Sequence, residues 1–248
     1  MNAKTYSPIV DLRMYTHQPN KRNEFIWLFE REFIETQEAV GIQVLGQFYD
    51  LDKPNRCIWL RGFNDMSARA QSLNAFYSGP IWKTHRDATN ATLIDTDNVL
   101  LLRLVHPTSG FSLKIGERPP HGTTKVRKGL MTANIYYFNS PVKPDFINYF
   151  ENTMHPELMD IDTSVLAYFV TEDGPNTYPR LPVREGEYVF VWFGGFQNQD
   201  EYEHHIARLE KSKLWNGEIA KFLKKRLKGK PEILRLAPTP RSWLTGMA

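Results

Sequence analysis

With 248 residues, 41% of them hydrophobic and 24% charged, the chain can bury a large core, and its length suits two small domains better than one. A formal net charge of +3 is too small to mark a nucleic-acid partner, and the lone cysteine, Cys57, excludes internal disulfides. No run approaches the roughly 18 consecutive apolar residues of a membrane helix, and Met1 to Pro8 lacks the apolar run of a signal peptide or the Arg-rich run of a transit peptide, so a cytoplasmic location is expected.

Residues 9–16 alternate, with Ile9, Asp11, Arg13 and Tyr15 on one face and Val10, Leu12 and Met14 on the other, which predicts a strand. Residues 22–39 place Phe25, Phe29 and Phe33 on a helical stripe flanked by charge, and Gly41 stops the helix. Residues 43–49 and 57–63, β-branched and aromatic around Asp52-Lys53-Pro54-Asn55, predict a hairpin. Asn64 or Asp65 can cap a second helix that turns Met66, Ala70, Leu73 and Phe76 inward. Pro80 suits the first turn of another short helix carrying Trp82, and residues 99–105 close the unit as an apolar strand.

The same order then returns. Asp11 to Tyr15 and the Phe25/Phe29 helix recur as Thr132 to Tyr136 and the Phe146/Phe150 helix, at an offset of 121 residues. After Phe169 the offset becomes 133, so that Trp59 matches Trp192, Trp82 matches Trp215 and Leu100-Leu101 matches Ile233-Leu234. The second copy has therefore gained 12 residues between Phe169 and Trp192. So long a repeat implies a duplicated domain: a first unit over 1–106, a linker or arm over 107–130, and a second unit over 131–248. A loop at the insertion, 170–188, is placed where lids and binding loops occur. Pro107-Thr108 with Phe111 and Leu113 is echoed by Pro238-Thr239 with Trp243 and Leu244, so each copy is expected to end in an arm that crosses the sheet pair.

A βαββαβ unit is the ferredoxin-like arrangement, one antiparallel sheet with both helices on one face. The other face would be bare, and Tyr15, Trp59, Phe63, Tyr136 and Phe138 are assigned to it; that much apolar surface needs cover. The expected fold is thus α+β, two ferredoxin-like repeats packed sheet to sheet as a dimeric α+β barrel within one chain, helices outside.

The run Asp11-Leu12-Arg13-Met14-Tyr15-Thr16, the Phe25/Phe29 helix, the Trp59 to Phe63 strand end and the Trp82 segment resemble the NIPSNAP family. That resemblance implies a dimeric α+β barrel, often in tandem copies. Its wider superfamily implies cofactor-independent monooxygenases, haem-handling enzymes, small-acid isomerases and proteins without known activity, so fold analogy does not choose a reaction. In the second copy Leu12-Arg13 has become Ala133-Asn134, so any role of the arginine belongs to one half alone.

The chain has no phosphate-cradling Gly-rich loop, no Gly-x-Ser-x-Gly elbow, no His-Glu-x-x-His and no Cys-x-x-Cys. Adjacent His204 and His205 diverge by about 100° on a helix and cannot share one metal; Glu201 and His205 share a face, where a surface hydrogen bond is the commoner meaning. No metal and no cofactor is expected. Lys221, Lys224, Lys225, Arg226, Lys228 and Lys230 form a basic cluster that is expected to be a solvated helix end, without the interleaved aromatics that single-stranded nucleic acid would need.

Strand alternation gathers Arg13, Tyr15, Trp59 and Arg61 at the expected sheet interface, with Arg103 from the last strand of that half. Three enclosed arginines need partners: Asp11, Glu185 or Glu187 from within, or a bound carboxylate or phosphate. With Tyr136 and Trp192 these residues form the candidate ligand site for a small aromatic or acidic metabolite. His85 and His155 are the candidate general bases. The partner expected is a small molecule, with association of two chains left open; a non-catalytic interaction or scaffold module is the alternative.

Overall fold

A computed structural model of the chain describes residues 4–5, 7–114 and 118–247; half of the N-terminal stretch read above for targeting signals lies outside them. Eight strands form its centre: β1 (Ile9–His17), β2 (Gln43–Asp50), β3 (Arg56–Phe63), β4 (Val99–Leu104), β5 (Leu130–Phe138), β6 (Ser164–Thr171), β7 (Tyr188–Phe196) and β8 (Glu232–Pro238). Their hydrogen-bonded order is β3-β2-β8-β5-β7-β6-β4-β1, and β1 pairs back onto β3, so the sheet closes on itself as an antiparallel barrel. Each half contributes four consecutive neighbours, β4-β1-β3-β2 and β8-β5-β7-β6. The halves join through two edge pairings, Leu102 opposite Thr171 and Leu236 opposite Asp50, which removes every free barrel edge.

The helices lie outside. Helix α1 (22–38) carries a π-helical turn at Phe29–Phe33, and its counterpart α4 (144–160) carries one at the equivalent Phe150–Met154. Helix α2 (Met66–Ser78) is capped by Asp65, whose side chain accepts from the Ala68 amide, and α5 (Gln199–Lys211) by Asn198, which accepts from the Glu201 amide. Helix α3 (Pro80–Asn90) has its proline in the first turn, and α6 (215–226) opens with the π turn Trp215–Ile219. Gly41 takes φ +92°, the left-handed helix stop expected of it. Among the described residues no helix is long and apolar enough to cross a membrane.

One expectation is reversed. The barrel interior is mainly aliphatic, built from Val10, Leu12, Met14, Leu60, Leu102, Ile135, Val191 and Leu236, with Phe48, Phe169 and Phe193 among them. Tyr15, Trp59 and Phe63 face the helices, packed with Phe25, Phe29 and Phe33, and Tyr136, Phe138 and Trp192 do the same against Phe146 and Phe150. The two sheets therefore do not stack aromatic face on aromatic face. An eight-stranded barrel has room for a single filling of side chains, which branched aliphatic residues mostly supply, while wide rings suit the thicker layer between sheet and helix. The arms do cross: Phe111 from the first half packs on Phe169 and Phe193 at ring-centre distances of 5.5 and 4.9 Å, and Leu244 hydrogen bonds through its amide to Leu45.

Candidate functional site

Because the aromatic residues face outward, each half has its own site between sheet and helices. In the first half, β1 and β3 set Asp11, Arg13 and Arg61 side by side and α2 adds Arg69; all four side chains are fully buried. Asp11 Oδ2 accepts from Arg13 Nη1 at 3.2 Å and Arg61 Nε at 2.9 Å, and Oδ1 accepts from Arg69 Nε at 3.0 Å. Burial pushes the Asp11 carboxyl up, but the Arg69, Arg61 and Arg13 guanidinia outweigh it and hold the group far below the usual carboxylate range. Burial likewise works against the charge on Arg13, and Tyr15 and Asp11 outweigh it, so the guanidinium stays protonated. Arg13 Nε also donates to the Tyr15 hydroxyl at 2.9 Å, and burial lifts that phenol to about 12 despite the arginine beside it. Of the three carboxylates considered from sequence, Asp11 does the neutralising; Glu187 pairs with Arg184.

The loop inserted in the second half closes this first-half site. Asn176 accepts from Arg69 Nη1 at 3.0 Å, Tyr178 stacks on Tyr77 with 6.1 Å between ring centres, and Thr177 donates to the Met66 carbonyl. Beside the charged cluster a cavity of about 110 Å³ remains, lined by Tyr15, Phe29, Trp59, Tyr77, Trp82 and Leu181.

Counting 121 and 133 residues onward places Thr132, Asn134, Gly194 and Tyr202 where Asp11, Arg13, Arg61 and Arg69 stand. On this side lies a cavity of about 620 Å³ lined by Thr132, Asn134, Tyr136, Trp192, Tyr202, His205 and Trp215 among others. Asn134 Nδ2 donates to Thr132 Oγ1 at 3.0 Å. Burial pushes the Tyr136 phenol, beside the Trp192 indole, up to about 12. His205 is buried, shares a 2.5 Å hydrogen bond through Nδ1 with Thr163, and is held down to about 4 by desolvation, so it is neutral at pH 7. Exposed Lys224 and Lys230 stand at the rim without an ion-pair partner among the described residues.

The structure thus brings Arg13, Tyr15, Trp59 and Arg61 together in one half and Tyr136 with Trp192 in the other. Arg103 joins neither; it points to solvent and pairs with Asp173 at 3.7 Å. Neither candidate base lines a cavity. His85 sits 3.5 Å from Glu32 on the helix surface, and His155 stacks on Phe150 at 6.0 Å, burial holding its pKa down. Glu201 and His205 do not pair, since Glu201 accepts from the Gln197 amide. Sequence reasoning missed His205 and Arg69, although both were within reach: Arg69 lies four and seven residues before the inward-facing Leu73 and Phe76, and His205 is the counterpart of buried Ser72.

A closed antiparallel barrel wrapped by helices across an aromatic layer makes this an α+β barrel protein. Residues 10–107 match the NIPSNAP family model, so the first half of the chain is similar to a NIPSNAP domain. Nothing matches among curated proteins. Among solved structures, the chain is similar to a provisionally named monooxygenase of Fusobacterium nucleatum subsp. nucleatum at 12% identity, covering 94% of this chain and 93% of that one with a TM-score of 0.55. A provisionally named monooxygenase of Lactobacillus acidophilus is 15% identical over 94% of both chains with a TM-score of 0.53. An anthrone oxidase-like protein is 11% identical over 100% of this chain and 99% of that one, with a TM-score of 0.55. At these identities the likeness shows the fold.

Proposed function

We propose that this chain is a tandem of two ferredoxin-like units, 1–106 and 131–248 joined by an arm at 107–130, whose working site is the cavity of the second unit. The strand order repeated in each half, the equivalent π turns and the equivalent helix caps support the division. The ligand is a planar aromatic acid: Trp192, Tyr136 and Trp215 flank its rings, Lys224 and Lys230 meet its carboxylate at the rim, and a volume of about 620 Å³ falls within the range of small-molecule pockets. The observation that carries the reading is the replacement of the buried Asp11 and Arg13 of the first half by Thr132 and Asn134, which line the open space. The names of the structural neighbours suggest oxygenation of that ring as the reaction; without a cofactor the substrate supplies the electrons itself, the ring CH2 of a keto tautomer being taken to C=O by dioxygen as the second oxygen atom leaves as water. His205, neutral and engaged by Thr163, orients a hydroxyl there and is too weak a base to ionise a phenol unaided. A cytoplasmic location belongs to the same reading and rests on the single, buried Cys57.

Titrating hydroxynaphthoates while following tryptophan emission tests it, with oxygen uptake measured in parallel. Saturable binding that weakens at least tenfold in Trp192→Ala, and weakens with added salt or in Lys224→Glu, is expected. If no planar aromatic acid binds, the site falls, and the packed aliphatic barrel is then the core of a scaffold module.

A further inference from the structure

Residues 221–230, Lys-Phe-Leu-Lys-Lys-Arg-Leu-Lys-Gly-Lys, hold six cations and no acid, while the whole chain nets +3, so everything outside this stretch is net acidic. Lys221, Lys224 and Lys225, three and four apart on α6, share one helix face, and the opposite face sets Ile219 and Leu223 into the aromatic layer of the second half. Beyond the helix the Lys228 amide donates to the Tyr137 carbonyl at 2.7 Å, which ties the chain there to β5. Lys224, Lys230 and Ile233 line the mouth of the large cavity, so the basic helix face and the mouth are continuous. All five lysines are exposed, and none has an ion-pair partner among the described residues. The acids closest along the chain, Glu218 and Glu232, are held by the Tyr149 and Tyr137 hydroxyls, and Arg226 takes Asp145. Among these free cations stands an apolar side chain, Ile233, with 46% of its surface exposed.

We infer that this face docks on an anionic lipid surface, with the cavity mouth turned toward the bilayer. Clusters of about four to eight cations on a helix are drawn to acidic headgroups, and mobile ammonium groups suit a fluid array of phosphates and carboxylates. The net acidic remainder is repelled by the same surface, so the charge asymmetry orients the chain as well as attracting it. Ile233 and the exposed Pro231 supply the apolar contact at headgroup depth. Nucleic acid fits this face less well. Phe222, the one ring in the stretch, is stacked on Tyr149 at 3.6 Å between ring centres and covered by the Arg226 guanidinium, so it is not free to stack on a base. Docking needs only the exposed side chains and stands whether or not the cavity takes an aromatic acid.

The test is co-sedimentation of the whole chain with vesicles of phosphatidylcholine alone and of phosphatidylcholine mixed with phosphatidylserine, at low and at high salt. Binding to the mixed vesicles should exceed binding to the neutral ones by at least about tenfold and fade as salt rises. The triple substitution Lys221→Gln, Lys225→Gln, Lys228→Gln, which spares the two lysines at the cavity rim, should weaken it by more than about tenfold. Changing the exposed Lys53, Lys83 and Lys125 to Gln removes the same net charge from elsewhere and should leave binding as in the parent. Ile233→Ser should weaken binding severalfold, because an apolar contact is lost. Should the first triple variant fail to fold, Lys225→Glu alone decides in its place. Equal binding to neutral and acidic vesicles, or equal loss in the two triple variants, would overturn the inference. Displacement of the chain from vesicles by a single-stranded oligonucleotide, with Ile233→Ser binding as the parent does, would also overturn it and assign the face to nucleic acid.

Discussion

The two helix-to-sheet layers occupy equivalent places and have opposite contents. In the first, α2 is seated hard on the sheet, with Arg69, Leu73 and Phe76 buried and the space between filled by charge and rings. In the second, α5 buries His205 alone, while its inward residues Tyr202, Ile206 and Leu209 stay half-exposed over the large cavity. The framework was kept in both: the same caps, the same π turns, the same central tryptophan. What differs is charge at four positions, with shorter side chains at three of them, Thr132, Asn134 and Gly194. A closed barrel with an aliphatic filling does not rely on either outer layer to hold its sheet together, which is why one layer can be packed and the other hollow on the same scaffold.

The largest expected difference between the halves is electrostatic. Asp11→Asn keeps the shape but leaves three buried guanidinia without a counter-charge, and should cost about 3–5 kcal/mol in urea unfolding. Thr132→Val, at the equivalent place, breaks one neutral hydrogen bond to Asn134 and should cost about 1 kcal/mol. Equal losses would contradict the contrast. Next comes packing. Trp59 borders a cavity of only about 110 Å³, so Trp59→Ala should cost about 3–5 kcal/mol, whereas Trp192 borders one of about 620 Å³, so Trp192→Ala should cost nearer 2 kcal/mol. Parity between the two tryptophans would show the second cavity to be filled in solution.

Much of this was legible in the residues. Period-two alternation at Ile9 to Tyr15 marked the strand and sorted its side chains correctly into two sets, and the recurrence of Phe25/Phe29 as Phe146/Phe150 pointed to two helices that carry π turns at equivalent places. Alternation does not say which set is inside, because both sets here are buried, Asp11 and Arg13 under the helices and Val10, Leu12 and Met14 in the barrel; closure of the barrel decides it, and closure depends on edge pairings such as Leu236 with Asp50 that lie 186 positions apart. The site was half legible for the same reason. Arg13, Tyr15, Trp59 and Arg61 were grouped rightly because they share one strand face, but Arg69 comes from a helix and Asn176 from an inserted loop, whose approach no strand period encodes. The second cavity is bordered by shorter residues, Thr132 for Asp11 and Asn134 for Arg13, and that difference shows only when the two halves are laid over each other.

Acid should act on both halves through two buried neutral histidines. His205 in the second and His17 in the first are each held down from 6.5 to about 4 by burial. A depressed histidine pKa means that the unfolded chain takes up the proton first, so its stabilising contribution is complete above pH 6.5 and drains away as the pH falls toward 4. At about 1.4 kcal/mol per unit each histidine accounts for no more than about 3 kcal/mol. Denaturation midpoints measured from pH 7.5 to 4 should therefore fall steadily, and His205→Asn should flatten the slope by about half while leaving the His17 share intact. A slope unchanged by that substitution would place the His205 ring in water, and with it the wall of the second cavity.

The smallest expected effect is the one that should not differ. Asp65 and Asn198 are equivalent caps, each accepting an amide three residues on, at 2.7 and 2.9 Å. Replacing either by Ala should cost about 1 kcal/mol, the ordinary worth of such a cap. Both are exposed and lie outside the layers that diverged, so the two losses should agree within a few tenths of a kcal/mol. A larger loss at Asp65 would mean that α2 relays its anchoring to the buried Arg69 four residues along, making the charged cluster part of how that helix is held. A larger loss at Asn198 would mean that α5, resting on a cavity, depends on its cap for want of packing. Agreement confines the divergence of the halves to the side chains that face the sheet.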